Sequence, residues 1–255
     1  MTGHIKIESK DHILTLTFAR PEKKNAITNA MYGALADAIL GAETDPATRA
    51  IVLRGEGDMF TAGNDVGEFA MMATSGFHSE RHVSRFVEAI ARSTKPLVAA
   101  VQGRAVGIGM LLHCDFVVLA EDAQLSTPFV NLALVPEAAS TLLMPMRIGY
   151  ARAYAMFALG EAMDAKTALQ LGIANRVVEL GKLHAEAASI AARLAKMPTG
   201  SLAATKRLMR NADMLTAQIG AESRIFAERL QTAEAREAFT AFAEKRPADF
   251  SKLAS

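Results

Sequence analysis

The sequence predicts an α/β fold, and three observations carry that prediction. Short, continuously apolar runs that suit strands buried on both faces alternate with helix-patterned stretches through the first half of the chain. In the second half, apolar residues recur at helical spacing almost without a break. Hydrophobic residues make up 51% and charged residues 22% of the 255 positions, enough for a sizeable core and too apolar for global disorder.

Taken in order, "HIKIES" and "HILTLTF" alternate apolar and polar about a short "KD" turn and predict a hairpin. "TNAMYGALADAILGAE" predicts a helix capped by Thr28 or Asn29. "RAIVLRG" predicts a buried strand, "RHVSRFVEAIARS" an amphipathic helix and "KPLVAAVQG" another buried strand. A glycine-rich turn, an apolar helix "MLLH" and a third buried strand "DFVVLA" follow. Strands alternating with helices suggest parallel pairing with crossovers. In the second half, "EAASTLLMPMRIG", "ARAYAMFALG", "DAKTALQLG" and the stretch from Leu183 to Lys245 predict helices, with "ANRVVEL" the one clear strand. The alanine-rich C-terminal helices have apolar faces that pack on another copy of the chain or fold back on their own core. The division predicted is 1–196 as the core and 197–255 as a helical region, with the boundary at "KMPTG".

Composition narrows the function classes. A formal net charge of +1 argues against a dedicated nucleic-acid binder. The single cysteine, Cys114, leaves no intrachain disulfide and reads as a small buried hydrophobe. The N-terminus lacks a signal-peptide pattern, no stretch has the length of a membrane span, and "DFSKLAS" is not a peroxisomal ending. The expectation is a cytoplasmic protein that meets neither membrane nor nucleic acid.

Four stretches carry candidate chemistry. "GRAVGIGM" (103–110) follows a strand and opens a helix, so its N–H groups are placed to meet a phosphate or a developing oxyanion. The alternative is close helix–strand packing. Leucine at 112 breaks the dinucleotide fingerprint, and no G-K-[ST] follows. "GDMFTAGNDVGEF" (57–69) allows close backbone approach at Ala62 and Gly63, with Asn64 and Asp65 suited to a turn. "RPEKKNAIT" (20–28) offers Arg20, Lys23 and Lys24 to an anion, or is a solvated loop. In "ALVPEAAS" (133–140), Glu137 is a lone carboxylate among small and apolar residues. It is either an acidic residue in the first turn of a helix begun by Pro136, or a base whose pKa is raised by poor solvation. His78 and His82, four apart, have no H-E-x-x-H glutamate and no third ligand, so they read as surface histidines and no metal site is expected. No G-x-S-x-G elbow is present.

Together, "RPEKKNAIT", "FTAGNDVGEF", "KPLVAAVQGRAVGIGMLLHCDFVVLA", "STPFVNLALVPEAASTLLMPMRIG" and "AKTALQLGIANRVV" resemble, in order and over nearly the whole chain, the enoyl-CoA hydratase/isomerase (crotonase) superfamily. The resemblance implies a spiral of ββα units with a C-terminal helical trimerisation region, assembled as a homotrimer or a dimer of trimers. It implies an acyl-CoA thioester as substrate, with its carbonyl held between two backbone N–H groups. By match of motif these belong to Asn64 and Ile108, where smaller residues are commoner. Lys23 and Lys24 fall in the loop near CoA, Ala62 and Asp65 in the adenine-side loop, and Gly109 in the turn against the acyl group.

The hydratases of this family position water with two glutamates, and the matching positions here are Leu111 and Phe129. Neither orients water, which argues against hydration by the usual mechanism. Glu137 matches the single acidic base of several family isomerases, and the combination "GIG…LL" with "TPF…VPEAAS" is similar to the Δ3,Δ2-enoyl-CoA isomerases of the peroxisomal type and their bacterial relatives. The implied reaction moves a 3-enoyl-CoA double bond to the 2-position by one glutamate acting as base and then acid, with Leu111, Phe129 and Leu134 as an apolar wall. The first two and Leu134 are equally readable as ordinary core. No metal or redox cofactor is required, because CoA arrives as part of the substrate. The competing readings are another single-carboxylate reaction such as ring or epoxide isomerisation of an aromatic-derived CoA ester, a hydratase using Glu137 differently, and a catalytically silent acyl-CoA-binding subunit.

Overall fold

A computed structural model describes residues 3–68, 81–251 and 253. The chain opens with an antiparallel hairpin of β1 (Ile5–Lys10) and β2 (Ile13–Phe18). Its turn is Asp11–His12 rather than the predicted Lys10–Asp11. Both residues have positive φ, 51° and 65°, and such two-residue turns match the twist of the paired strands. Thr28 caps α1 (Asn29–Thr44) by accepting the Met31 N–H at 3.3 Å. Next come β3 (Ala50–Gly55), α2 (His82–Arg92), β4 (Leu97–Val101) and β5 (Arg104–Val106).

The predicted helix "MLLH" is a 3-10 helix over Ile108–His113, six residues that are all buried. It leads into β6 (Phe116–Ala120) and β7 (Gln124–Ser126). The strands and α-helices that follow are α3 (Ser140–Ile148), α4 (Tyr150–Leu159), β8 (Met163–Asp164), α5 (Ala165–Gln170), β9 (Arg176–Val178), α6 (Leu183–Ala195), α7 (Thr199–Met209), α8 (Ala212–Leu230) and α9 (Ala233–Glu244). The two-residue β8 joins β9 as a second strand of the C-terminal half; two residues are too few to show any alternation in the sequence.

The large sheet runs β1-β2-β3-β4-β6-β9 and is parallel after the first hairpin. Its central strands are buried on both faces, which explains their unbroken apolar sequences. Ile51, Leu53, Ala99 and Leu119 join the main core with α1 and α2. Their alternates Val52, Val98, Ala100 and Val118 pack under Leu183, Ala187 and Ile190 of α6.

A small sheet runs β5-β7-β8, and Thr61 adds a parallel bridge to Ala105 on β5. Three successive passes of the chain therefore send one strand to the large sheet and the next to the small one: β3 then Thr61, β4 then β5, β6 then β7. Each pass leaves the small sheet toward the same end, and those exits form the candidate site. The helices α8 and α9 fold back on their own core through Leu215, Ile219, Phe226, Leu230 and Phe239. By contrast α7 buries no residue, and Leu208 and Met209 are 89% and 83% exposed. Among the described residues, no helix is long and apolar enough to cross a membrane.

Candidate active site

The bridge between Thr61 and Ala105 sets two loops in register. The Val106 N–H donates to the Thr61 carbonyl at 3.0 Å and the Thr61 N–H to the Arg104 carbonyl at 3.4 Å. Counting onward equally from both partners reaches Asn64 and Ile108. A second bridge joins Ile27 to Asn64: the Ile27 N–H takes the Gly63 carbonyl and the Ile27 carbonyl takes the Asp65 N–H, both near 3 Å. Parallel pairing of this kind turns the N–H of Asn64 away from Ile27. Ile108 opens the 3-10 helix, so its N–H has no partner inside that helix. Among the described residues neither N–H donates to a backbone or side-chain acceptor.

Two glycines make this approach feasible. At Gly63, φ is +83° and a Cβ would lie 3.3 Å from the Val106 carbonyl oxygen. At Gly107, φ is +69°, the left-handed turn that redirects β5 into the 3-10 helix.

Glu137 lies outside any helix. Helix α3 begins at Ser140, and Ala138 and Ala139 between them are both left-handed, with φ of 63° and 53°. The reading of Glu137 as a first-turn residue after Pro136 is thus corrected: the chain turns sharply before the helix starts. Non-glycine residues in this region are strained, so the turn must be held by its surroundings. The imidazole Nε2 of His113 lies 2.7 Å from the Ala138 carbonyl oxygen. Burial pushes the His113 pKa down to about 3, with Arg210 adding to the effect, so the ring is neutral and Nε2–H donates. Glu222 on α8 accepts the Ala139 N–H at 2.6 Å, the Thr141 N–H at 2.9 Å and the Thr141 hydroxyl. The Ser140 hydroxyl donates to the Glu137 carbonyl.

Glu137 is half-buried. Its Oε1 accepts the Asn64 side-chain amide, Nδ2, at 3.0 Å. The Asn64 Oδ1 in turn accepts the Tyr32 hydroxyl at 2.6 Å. Burial raises the Glu137 pKa above the ordinary carboxylate value; the Arg81 guanidinium and the Asn64 hydrogen bond oppose that shift without cancelling it.

An apolar cavity is lined by Val66, Val106, Phe129, Leu132, Leu134 and Phe226 together with Ala62, Gly63, Asn64 and Gly107, and Asn64 connects it to the Glu137 carboxyl. Of the residues expected to form an apolar wall, Phe129 and Leu134 line this cavity. Leu111 does not: it is fully buried in the main core and does not line the cavity. Gly109 contacts the Glu137 turn, since a Cβ there would meet the Ala138 Cβ at 2.8 Å and the Glu137 carbonyl oxygen at 3.3 Å.

The charged loop residues sit at the periphery. Lys23 ends an exposed 3-10 turn (Pro21–Lys23) and Lys24 pairs with Asp58 at 2.6 Å. Asp65 is held by Arg20 at 2.7 Å, which keeps its carboxyl below the ordinary range, against a burial effect in the other direction. Of the two histidines, His78 lies outside the described residues. His82 is half-buried rather than a surface residue, its N–H donating to the Asn29 side chain at 2.8 Å. Among the described residues no group of three or more His, Cys, Asp or Glu is arranged to hold a metal. Cys114 is buried, and burial pushes its thiol up to about 12.

Four residues here escape sequence reading: Tyr32, Arg81, Glu222 and Phe226. Tyr32 and Phe226 look like core aromatics on helices. Arg81 precedes α2, its guanidinium 5.2 Å from the Phe226 ring centre. Only Glu222 leaves a trace, as the one acid on the apolar stripe Leu215, Ile219, Phe226, Leu230 of α8.

The family model described as enoyl-CoA hydratase/isomerase matches residues 8–253. A solved enoyl-CoA hydratase/isomerase from Pseudoalteromonas atlantica superposes with a TM-score of 0.91 at 40% identity, covering 97% of this chain and all of that one. The 1,2-epoxyphenylacetyl-CoA isomerase of Escherichia coli is 32% identical over 247 residues, 93% of this chain and 94% of its own length. A probable enoyl-CoA hydratase of Rhodobacter capsulatus is 33% identical over 254 residues, 96% of this chain and 97% of its own. With the alternating two-sheet spiral, the paired loop amides and these matches over nearly its full length, the chain belongs to the enoyl-CoA hydratase/isomerase family and has the crotonase fold.

Proposed function

We propose that this protein is an acyl-CoA isomerase that converts a 3-enoyl-CoA to the conjugated 2-enoyl-CoA. One observation carries the reading. A single carboxylate with a raised pKa, Glu137, is hydrogen-bonded to Asn64, which lines the apolar cavity, while leucine and phenylalanine occupy the two positions at which hydratases of the resemblance place glutamates. The thioester oxygen would accept from the N–H groups of Asn64 and Ile108. Glu137 removes a proton from C2, and the bonding pair moves onto the thioester oxygen as a dienolate held by those amides. The protonated Glu137 then delivers the same proton to C4, the carbonyl re-forms, and the double bond rests between C2 and C3. A raised pKa suits a group that must accept and return one proton near neutral pH. Phe129, Leu134 and Phe226 keep water from the dienolate.

The CoA portion would lie along the loops carrying Lys23, Lys24, Ala62 and Asp65. The exposed apolar residues of α7 support self-association, for which the resemblance suggests a trimer or a dimer of trimers. A second reading is isomerisation of an aromatic epoxide thioester, favoured by the two phenyl rings in the cavity wall and by the E. coli relative. The test follows the ultraviolet absorbance of conjugation with 3-hexenoyl-CoA, for the native chain and Glu137→Gln. Conversion that falls by about 10²-fold or more in the variant is the expected result. Binding of the CoA ester without conversion by the native chain overturns the chain-isomerase reading, and a panel including aromatic CoA esters then separates the second reading from a silent binder.

A further inference from the structure

Nothing in the reaction above requires Tyr32, yet its hydroxyl is committed to the site from the far side of Asn64. The distances run 2.6 Å from the Tyr32 hydroxyl to Asn64 Oδ1 and 3.0 Å from Asn64 Nδ2 to Glu137 Oε1. An asparagine amide has one donor side and one acceptor side; an ionised carboxylate only accepts and so takes the N–H side, which leaves Oδ1 to the Tyr32 hydroxyl. We infer that Tyr32 is a positioning residue: its hydroxyl anchors the Asn64 amide through Oδ1, so that the N–H side is held against Glu137 Oε1 and Oε2 is left for the substrate proton.

The inference rests on the reading of Glu137 as base, and it applies to whichever acyl-CoA proton transfer that base performs. The chemistry of the phenol supports it. Tyr32 is buried, and burial together with the nearby Glu137 raises its pKa well above the usual value, so it remains an O–H donor. The flipped amide is disfavoured at its other end, where Oδ1 would meet the carboxylate lone pairs; a hydroxyl can donate or accept, so Tyr32 contributes a fixed anchor for Oδ1 in the orientation that the carboxylate selects. The ring itself is packed at 5.5 Å from the Phe86 ring, so the hydroxyl's direction is set by the core and not by the ligand. Asn64 then joins two parts of the site, since its main-chain N–H is the proposed oxyanion donor and its side chain steers the base.

The charged and titratable groups around Glu137 are Arg81 ahead of α2, Glu222 on α8 and Tyr32 on α1, with Glu68 acting on Tyr32. A hydrogen bond donated to a carboxylate favours its ionised form. Loss of the Tyr32 hydroxyl weakens that bond, so the acid limb of kcat/KM moves to higher pH.

Tyr32→Phe keeps the ring and removes only the hydroxyl. The expected results are a kcat lowered by about tenfold with KM within about twofold, and an acid limb moved up by about one pH unit. Asn64→Ala keeps the main-chain N–H and is expected to move the limb in the same direction. The double variant Tyr32→Phe/Asn64→Ala is expected to match Asn64→Ala within about twofold, because Tyr32 acts through Asn64. An unmoved limb in Tyr32→Phe, or additive losses in the double variant, overturns the inference while Glu137→Gln remains inactive. Activity surviving in Glu137→Gln is the separate outcome that removes the base itself.

Discussion

Glu222, in the middle of α8, accepts the main-chain N–H of Ala139 at 2.6 Å, two residues beyond the candidate base. It does for α3 what a local capping residue ordinarily does. Ala139 sits at the N-cap of α3 and has no side chain able to accept a hydrogen bond, so the N–H groups of Ala139 and Thr141 are served from a helix eighty residues away in sequence. Glu222 is only 4% exposed, and burial raises its pKa, with Glu137 contributing in the same direction.

Removing that acceptor should therefore loosen the turn that aims Glu137. Glu222→Ala leaves two N–H groups without partners and is expected to destabilise the protein by about 2–4 kcal/mol, while Glu222→Gln, which keeps one acceptor oxygen, should cost less. Thermal or urea unfolding of both variants measures the difference. Glu222→Gln should also lose more in kcat than in KM, because the turn carries the proposed base and none of the loops proposed to meet CoA.

Gly109 offers a steric test of the same turn. Its missing side chain accommodates Ala138 at 2.8 Å from where a Cβ would be, a distance real Cβ atoms do not tolerate. Gly109→Ala should push the Glu137 turn away and lower kcat by about 10²-fold, the order expected for a displacement near 1 Å. Circular dichroism should remain native, since the backbone at Gly109 is not left-handed.

His113 gives a prediction in pH. Its folded pKa of about 3 lies far below the ordinary imidazole value of 6.5. A histidine depressed in the fold contributes stability that is present above its unfolded pKa and is lost as pH falls from there toward the folded value. Stability should fall by about 1.4 kcal/mol for each pH unit below the unfolded pKa from this group alone. His113→Gln, less stable at pH 7.5, should show a shallower decline of Tm between pH 6.5 and 5. Equal slopes in the two proteins would remove His113 as the acid-sensitive support of the Ala138 carbonyl.

Much of the fold was readable in the chain because its physics is local. Unbroken apolar runs such as "LVAAV" and "FVVLA" fit strands covered on both faces, and amphipathic "HVSRFVEAIAR" fits a helix with one face inward. The hairpin was readable but its turn slipped by one residue, because two non-glycine residues took left-handed conformations that composition does not announce. The start of α3 failed for a related reason. Pro136 and Glu137 carry the signals of a helix opening, and the tertiary ties from Glu222 and His113 hold Ala138 and Ala139 in a turn that local preference disfavours.

By itself, then, the sequence determined the α/β alternation, the glycines that let two loops approach each other, and the presence of one carboxylate, Glu137, in an apolar stretch. Only the tertiary structure decided that Leu111 belongs to the core while Phe129 lines the cavity, that Phe226 closes the wall from the C-terminal region, and that Tyr32 reaches Glu137 through Asn64. The division has a physical reason. Backbone preference and burial are set by neighbours within a few residues, whereas a hydrogen bond between Tyr32, Asn64 and Glu137 exists only after three distant segments have been brought to one point.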